Sequence, residues 1–286
     1  MRDHQNYLSF HTLTSASLYD ALVLSTLQSI LYRVAPQWCA ELFVVEDEEE
    51  MENGLQIEIS DPKSLYSILQ REARKTDPFR QCAWENTAKM VRAAGKPFPL
   101  YDPERLSADF VITDTQQDLM LFLSYDNKPN LVEQNTLGGH CYSNQVDSIR
   151  SEVFIQALFL EAVKQLSLDY GHAESTAEWN SKNHDAKGYV VGIDWTQRLP
   201  GLYWLNFFGS RYCSFIGKQK LLSAPGKWVR ELSTGVLIAL GDSPHDWDSR
   251  EYRDRCAAVE QHLGKEFFFS IDEPARMTRA PDLFLR

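Results

Sequence analysis

The most explicit chemical grammar in this chain lies at Gly241-Asp242-Ser243, which closes the apolar run Val236 to Leu240. A serine presented at a strand-to-turn corner can attack a substrate only if a base lies within hydrogen-bond reach and a third group orients that base. No Asp-x-x-His block begins after Ser243, and Pro244 follows it directly. The corner therefore reads as structural, with glycine relaxing the backbone; a hydrolase built on Ser243, or on a cryptic acid pair, is the alternative reading. The histidine-acid pairs are His172-Ala173-Glu174, His184-Asp185 and His245-Asp246-Trp247-Asp248. None has the i, i+4 spacing of a helical metal site. They read as polar loop histidines and helix-capping acids rather than ligands, so neither a metal nor a cofactor is expected. Gly138-Gly139-His140 lacks the strand, Gly-x-Gly-x-x-Gly and helix of a dinucleotide loop. Cys39, Cys82, Cys141, Cys213 and Cys256 are scattered and contain no C-x-x-C pair. That spacing suits reduced thiols in a cytoplasmic core better than a disulfide framework.

One charge cluster stands out. Glu46, Asp47, Glu48, Glu49, Glu50 and Glu52 crowd the segment that ends at Asn53-Gly54. Like charges repel and stay solvated, and Asn-Gly favours a turn. These six residues are the candidate partner-binding site, a patch complementary to a basic protein surface. The 286 residues carry 29 Lys+Arg against 40 Asp+Glu, a formal charge of −11. Such a balance argues against unaided nucleic-acid binding, which needs a basic face. The first seven residues show no apolar signal region. The most apolar stretch, Leu18 to Val34, is too short and too polar to span a bilayer. A cytoplasmic protein without a membrane segment is expected.

The elements that must position these residues are mixed. No element is assigned before Ser17. Periodicity predicts a helix over Ser17 to Val34, strands at Leu42 to Val45 and Leu55 to Ile59 joined as a hairpin with an acidic tip, a helix beginning at Asp61-Pro62, and another over Ala83 to Ala94. A proline-rich loop spans Lys96 to Pro103. Antiparallel strands are expected over Asp109 to Thr113 and Asp118 to Ser124, and Gly138-Gly139 marks a loop. A helix over Ile149 to Leu166 turns Ile149, Val153, Phe154, Ala157, Leu158, Glu161 and Ala162 to one face. Ser175 to Lys187 reads as a polar loop. Strands follow at Tyr189 to Trp195 and Leu202 to Phe208, then a short helix capped by Ser210 and reaching Leu221. A hairpin joins Trp228 to Leu232 and Val236 to Leu240. A helix covers Ser249 to Leu263, and Phe267 to Phe269 forms a last strand. Without regular β-α-β alternation the expectation is an α+β fold on a largely antiparallel sheet with packed helices. It divides into an N-terminal region (1–145) and a second region (146–286), packed as one unit.

Two segments of the second region, Gly201-Leu-Tyr-Trp-Leu-Asn-Phe-Phe-Gly209 with Tyr212 to Leu222, and Ser233-Thr-Gly-Val-Leu-Ile-Ala-Leu-Gly-Asp-Ser-Pro244, resemble a bacterial family of type VI secretion immunity proteins. Its members show a Trp-Leu-Asn strand ending in glycine, a helix, and a Gly-Val-Leu-Ile strand closed by a Gly and Pro turn. Ala280-Pro281-Asp282 is similar to the family's tail. The resemblance covers about Gly188 to Leu263. It implies a binding protein and not an enzyme: a factor that neutralises a cognate secreted effector by stoichiometric association in bacterial competition. It assigns no catalytic residues. A non-catalytic adaptor subunit is the other reading.

Overall fold

A computed structural model describes residues 7–14, 21–34, 42–45, 55–57, 107–114, 119–126, 135–142, 148–185, 187, 191–192, 198–274 and 277–280. Among the described residues ten strands form one sheet: β1 (Tyr7–Thr14), β2 (Leu42–Val45), β3 (Leu55–Ile57), β4 (Ser107–Asp114), β5 (Leu119–Asp126), β6 (Asn135–Tyr142), β7 (Tyr170–Ser175), β8 (Leu205–Gly209), β9 (Trp228–Leu232) and β10 (Gly235–Ala239). Their order is β3-β2-β4-β5-β6-β1-β7-β8-β10-β9. Every pair is antiparallel. With its helices this is the expected α+β architecture. The hairpin of β2 and β3 forms as expected, with Leu42 opposite Ile57. So does the β9–β10 hairpin, with Gly235 opposite Leu232.

Alternation along the strands divides the core between the two faces. Leu8, Phe10, Ala173, Leu205, Phe207, Leu237 and Ala239 point to one face. There they meet α1 (Ala21–Val34) and α2 (Ser148–Gln165). Leu13, Tyr170, Phe208, Val236 and Ile238 point to the other. That face carries α3 (Thr176–Asn183), then α4 (Ser210–Tyr212), which passes through a π turn (Cys213–Gly217) into α5 (Lys218–Leu222), and finally α6 (Arg250–Leu263).

Several expectations change. β1 lies between β6 and β7, mid-sheet, although no element was expected there. Gly138 and Gly139 lie within β6 and not in a loop. A Cβ at Gly138 would sit 3.3 Å from the Phe10 carbonyl oxygen, so the missing side chain allows close strand contact. The polar segment after Ser175 is helix α3, and β7 precedes it. Ser210 begins α4 but does not cap it; Gly209 holds the cap position without a side-chain bond. Phe267 ends a 3-10 turn (Lys265–Phe267), and Phe268 makes a single parallel bridge to Leu199 instead of a strand. The buried stripe of α2 is Phe154, Ile155, Leu158, Phe159, Ala162 and Val163, while Val153 is exposed. Ile155, Phe159 and Val163 offer more apolar area than the expected Ala157 and Glu161. Glu161 instead faces Arg33 at 3.3 Å and Lys164 at 3.1 Å. The helices expected from Asp61 and over Ala83 to Ala94, the proline-rich loop, the acidic tip, and almost all of Tyr189 to Trp195 lie outside the described residues.

Candidate functional site

The two segments that carry the family resemblance meet in space. β8 and β10 pair so that Gly235 lies opposite Gly209 and Val236 opposite Phe208. Both glycines are required by close approach. A Cβ at Gly209 would collide with the Leu168 carbonyl oxygen, and one at Gly235 with the Phe208 carbonyl oxygen. The asparagine of Trp-Leu-Asn also has a local purpose. Fully buried Asn206 accepts from the Tyr203 backbone N–H through Oδ1 (2.9 Å) and donates from Nδ2 to the Tyr203 carbonyl (2.6 Å). Those two bonds satisfy a backbone corner that the sheet does not pair and set the chain's entry into β8. Trp204 beside it is buried among the α2-facing residues.

Ser243 is a helix cap. Its Oγ accepts from the His245 backbone N–H (3.2 Å), while Asp246 Oδ2 accepts from the Ser243 N–H (3.1 Å). The Ser243 hydroxyl donates to Glu152 Oε2 at 2.8 Å, tying the turn after β10 to α2. The hydroxyl proton is thus directed at a carboxylate on α2, and the histidine beside it contributes a backbone amide rather than its ring. Among the described residues no group of three His, Cys, Asp or Glu side chains could hold a metal ion.

The densest polar chemistry lies elsewhere, on the face of β1 and β7 opposite α1 and α2. Period-two alternation on β7 puts His172 and Glu174 on one face, and both are fully buried. His172 Nδ1 lies 2.5 Å from Glu174 Oε2. Across the ladder, the Ser9 hydroxyl donates to Glu174 Oε1 (2.7 Å), and His11 Nε2 stands 3.4 Å from that oxygen. Aromatic rings enclose the pair. His172 stacks on Tyr203 at 4.3 Å and on Trp179 at 5.6 Å, and Trp179 stacks on His11 at 5.4 Å. His140 of β6 stacks on Tyr7 at 4.6 Å and meets His11 edge-on at 5.8 Å.

Burial governs the proton affinities here. It raises Glu174 to about 7, against the pull of His11, Ser9 and Lys182. It lowers His172 to about 3, with Glu178 opposing and Lys182 assisting. It lowers His140 to about 3, helped by His11. It lowers His11 to about 4, with Glu174 opposing and His172 assisting.

A second centre adjoins this one through α3. The Ser175 hydroxyl accepts from the Glu178 N–H and starts the helix. The Glu178 side chain, fully buried, turns inward. It accepts from Lys182 Nζ (2.6 Å), the Tyr252 hydroxyl (2.6 Å) and the Trp204 backbone N–H (3.3 Å). Lys182 also donates to the Leu202 carbonyl and lies over the Tyr203 ring at 4.9 Å. Burial raises Glu178, and Lys182 and Tyr252 pull it back; burial alone would lower Lys182, but Glu178 outweighs that and raises it. One carboxylate thus joins α3, α6 and the entry to β8.

The six acidic candidates, Glu46 to Glu50 and Glu52, fall outside the described residues. His172, read from sequence as a loop histidine, sits in the sheet with Glu174. His184 ends α3, and the Lys187 N–H donates to Asp185 Oδ1. The residues missed are Ser9, His11, Glu178, Lys182, Tyr203 and Tyr252. One signal was available: Ser175-Thr-Ala-Glu178 has the Ser-x-x-Glu spacing of a helix start.

Among the described residues no helix is long and apolar enough to cross a membrane. No protein-family model matches the chain, and no curated protein matches it. Among solved structures, the chain is similar to one described as a Pseudomonas aeruginosa T6SS protein. The two share 13% identity with a TM-score of 0.45, over 95% of this chain and 84% of that chain.

Proposed function

We propose that this protein is a type VI secretion immunity factor that neutralises a cognate effector by stoichiometric binding in the cytoplasm, without catalysis. The observation that supports this reading is the pairing of β8 with β10. Two short segments that resemble the immunity family, 25 or so residues apart in the chain, come together in register. The residues that mark them, Gly209, Gly235 and Asn206, are the ones the packing needs. The engagement of Ser243 as a cap weighs against the hydrolase alternative.

The test is co-expression with the product of the adjacent open reading frame. A one-to-one complex on size exclusion, together with rescue of cells from that product's toxicity, is the expected result. Rescue without a complex, or neither, overturns the proposal. The acidic segment accelerates the encounter in this scheme. Replacing Glu48, Glu49 and Glu50 with Gln slows association several-fold at low salt. It has little effect near 1 M salt, where the screening length is about 3 Å. Surface-binding kinetics across an ionic-strength series read both limits. Equal association rates at low salt remove the segment from the mechanism.

A further inference from the structure

Glu174 has two oxygens and three polar neighbours, and the geometry constrains where its proton lies. Oε1 accepts from the Ser9 hydroxyl and faces His11 Nε2. Oε2 faces one ring nitrogen, His172 Nδ1, at 2.5 Å. A single proton must lie between Oε2 and Nδ1, because a carboxylate and an imidazole lone pair at that separation repel. Either the acid donates to Nδ1, or the imidazole donates from Nδ1 to a carboxylate.

We propose that Glu174 and His172 form a proton-operated tautomer switch at the centre of the sheet. In the acid state the Glu174 carboxyl donates to His172 Nδ1, and the imidazole carries its proton on Nε2. On losing one proton from the pair, the carboxyl hydrogen passes to Nδ1 and the Nε2 hydrogen leaves to solvent. The carboxyl O–H and the Nε2–H bonds break, the Nδ1–H bond forms, and the carboxylate becomes the acceptor of the same hydrogen bond. The charge appears on Glu174 and is met by Ser9 and His11 of β1.

The neighbours on each packed element set the balance. They are Tyr7, Ser9 and His11 on β1, His140 on β6, Tyr170 on β7, Glu178 and Lys182 on α3, Tyr203 before β8, and Tyr252 and Cys256 on α6. Burial favours the neutral acid, and its displacement to about 7 puts the change near neutrality. His172 stacks on Tyr203 and Trp179, so the tautomer change is felt at α3 and at the entry to β8.

The test is nitrogen NMR of the imidazole rings in the full chain, from about pH 5.5 to about pH 9, a range that spans the tenfold-per-unit change expected of one site. The expected result is an Nε2–H tautomer for His172 at the acid end, an Nδ1–H tautomer at the basic end, and a midpoint near neutrality. Glu174→Gln, whose amide donates at every pH, should hold the Nε2–H tautomer throughout. If that variant does not fold, carbon NMR of the labelled Glu174 carboxyl in the wild type gives the same answer. A single His172 tautomer across the range, or a Glu174 carboxyl already ionised at about pH 5.5, would overturn the proposal.

Discussion

The β8–β10 unit and the Glu174 centre are one strand apart, and they hold the chain together in opposite ways. In the first, Phe207, Phe208, Val236, Leu237 and Ile238 are fully buried on two faces, and the backbone ladder supplies the polar pairing. Its stability comes from area removed from water, which is non-directional and tolerant of the partner's identity. In the second, Glu174, His172 and Glu178 are equally buried, but each must find donors and acceptors of the right kind. A buried apolar group loses only its own contribution when a neighbour changes. A buried polar group turns costly once its partner is gone. The apolar unit is therefore the larger store of stability, and the polar centre is the more specific one.

The comparison breaks most visibly at Phe207. Phe207→Ala should cost about 3–5 kcal/mol, the usual range for a buried aromatic truncated in a packed core, read as a lower urea midpoint. A loss under about 1 kcal/mol would show that the unit collapses around the void. Glu178→Ala should cost about 2–3 kcal/mol by stranding Lys182, Tyr252 and the Trp204 N–H. Solvent at Lys182, whose side chain is 26% exposed, keeps the figure below that of a sealed pair. Glu178→Gln retains an acceptor oxygen and should recover part of the loss; equal losses would mean that charge alone matters.

The pH dependence sharpens the contrast. Histidines depressed by burial contribute stability that is complete above the unfolded value of about 6.5 and declines as pH falls toward about 3. Glu174, raised, contributes in the opposite sense: its share is complete below about 4.5 and declines as pH rises through about 7. Between those unfolded values Glu174 and His172 offset one another, since folding moves one proton from imidazole to carboxyl. Within this centre the remaining acid sensitivity belongs to His140 and His11. His140→Gln should flatten the acid limb by a fraction of the ~1.4 kcal/mol per pH unit that a full proton carries. Urea midpoints at three acid pH values check it, and an unchanged slope would move the effect to other groups.

Ser243→Ala should cost about 1 kcal/mol, the worth of a helix cap, and, under the proposed immunity function, leave protection against an effector intact. Loss of protection by a folded Ser243→Ala protein would revive the hydrolase reading. Least of all, Lys218→Ala removes a solvent-exposed pair with Glu231 and should not move the urea midpoint measurably.

How much of this was legible in the sequence follows the same division. Strands β2, β4, β5, β8, β9 and β10 and helices α1, α2 and α6 carry apolar residues at the period of their structure, and periodicity finds them. β1 escaped despite its alternation of Leu8 and Phe10 with Ser9 and His11, because its other face carries polar groups that look solvated. β7 and α3 escaped because Tyr170-Gly-His-Ala-Glu-Ser175 and the polar run after it have the composition of a loop.

By itself the sequence determined the α+β class, the antiparallel hairpins and the segments that become β8 and β10, because hydrophobic patterning is local and each residue votes by its own type. Only the tertiary structure decided that Ser9, His11, His172 and Glu174 converge, and that Glu178 meets Tyr252 from 74 residues away. The worth of a buried polar group depends on which donor or acceptor lies within about 3 Å of it, and that distance is set by how the strands pair, not by the spacing of residues along the chain.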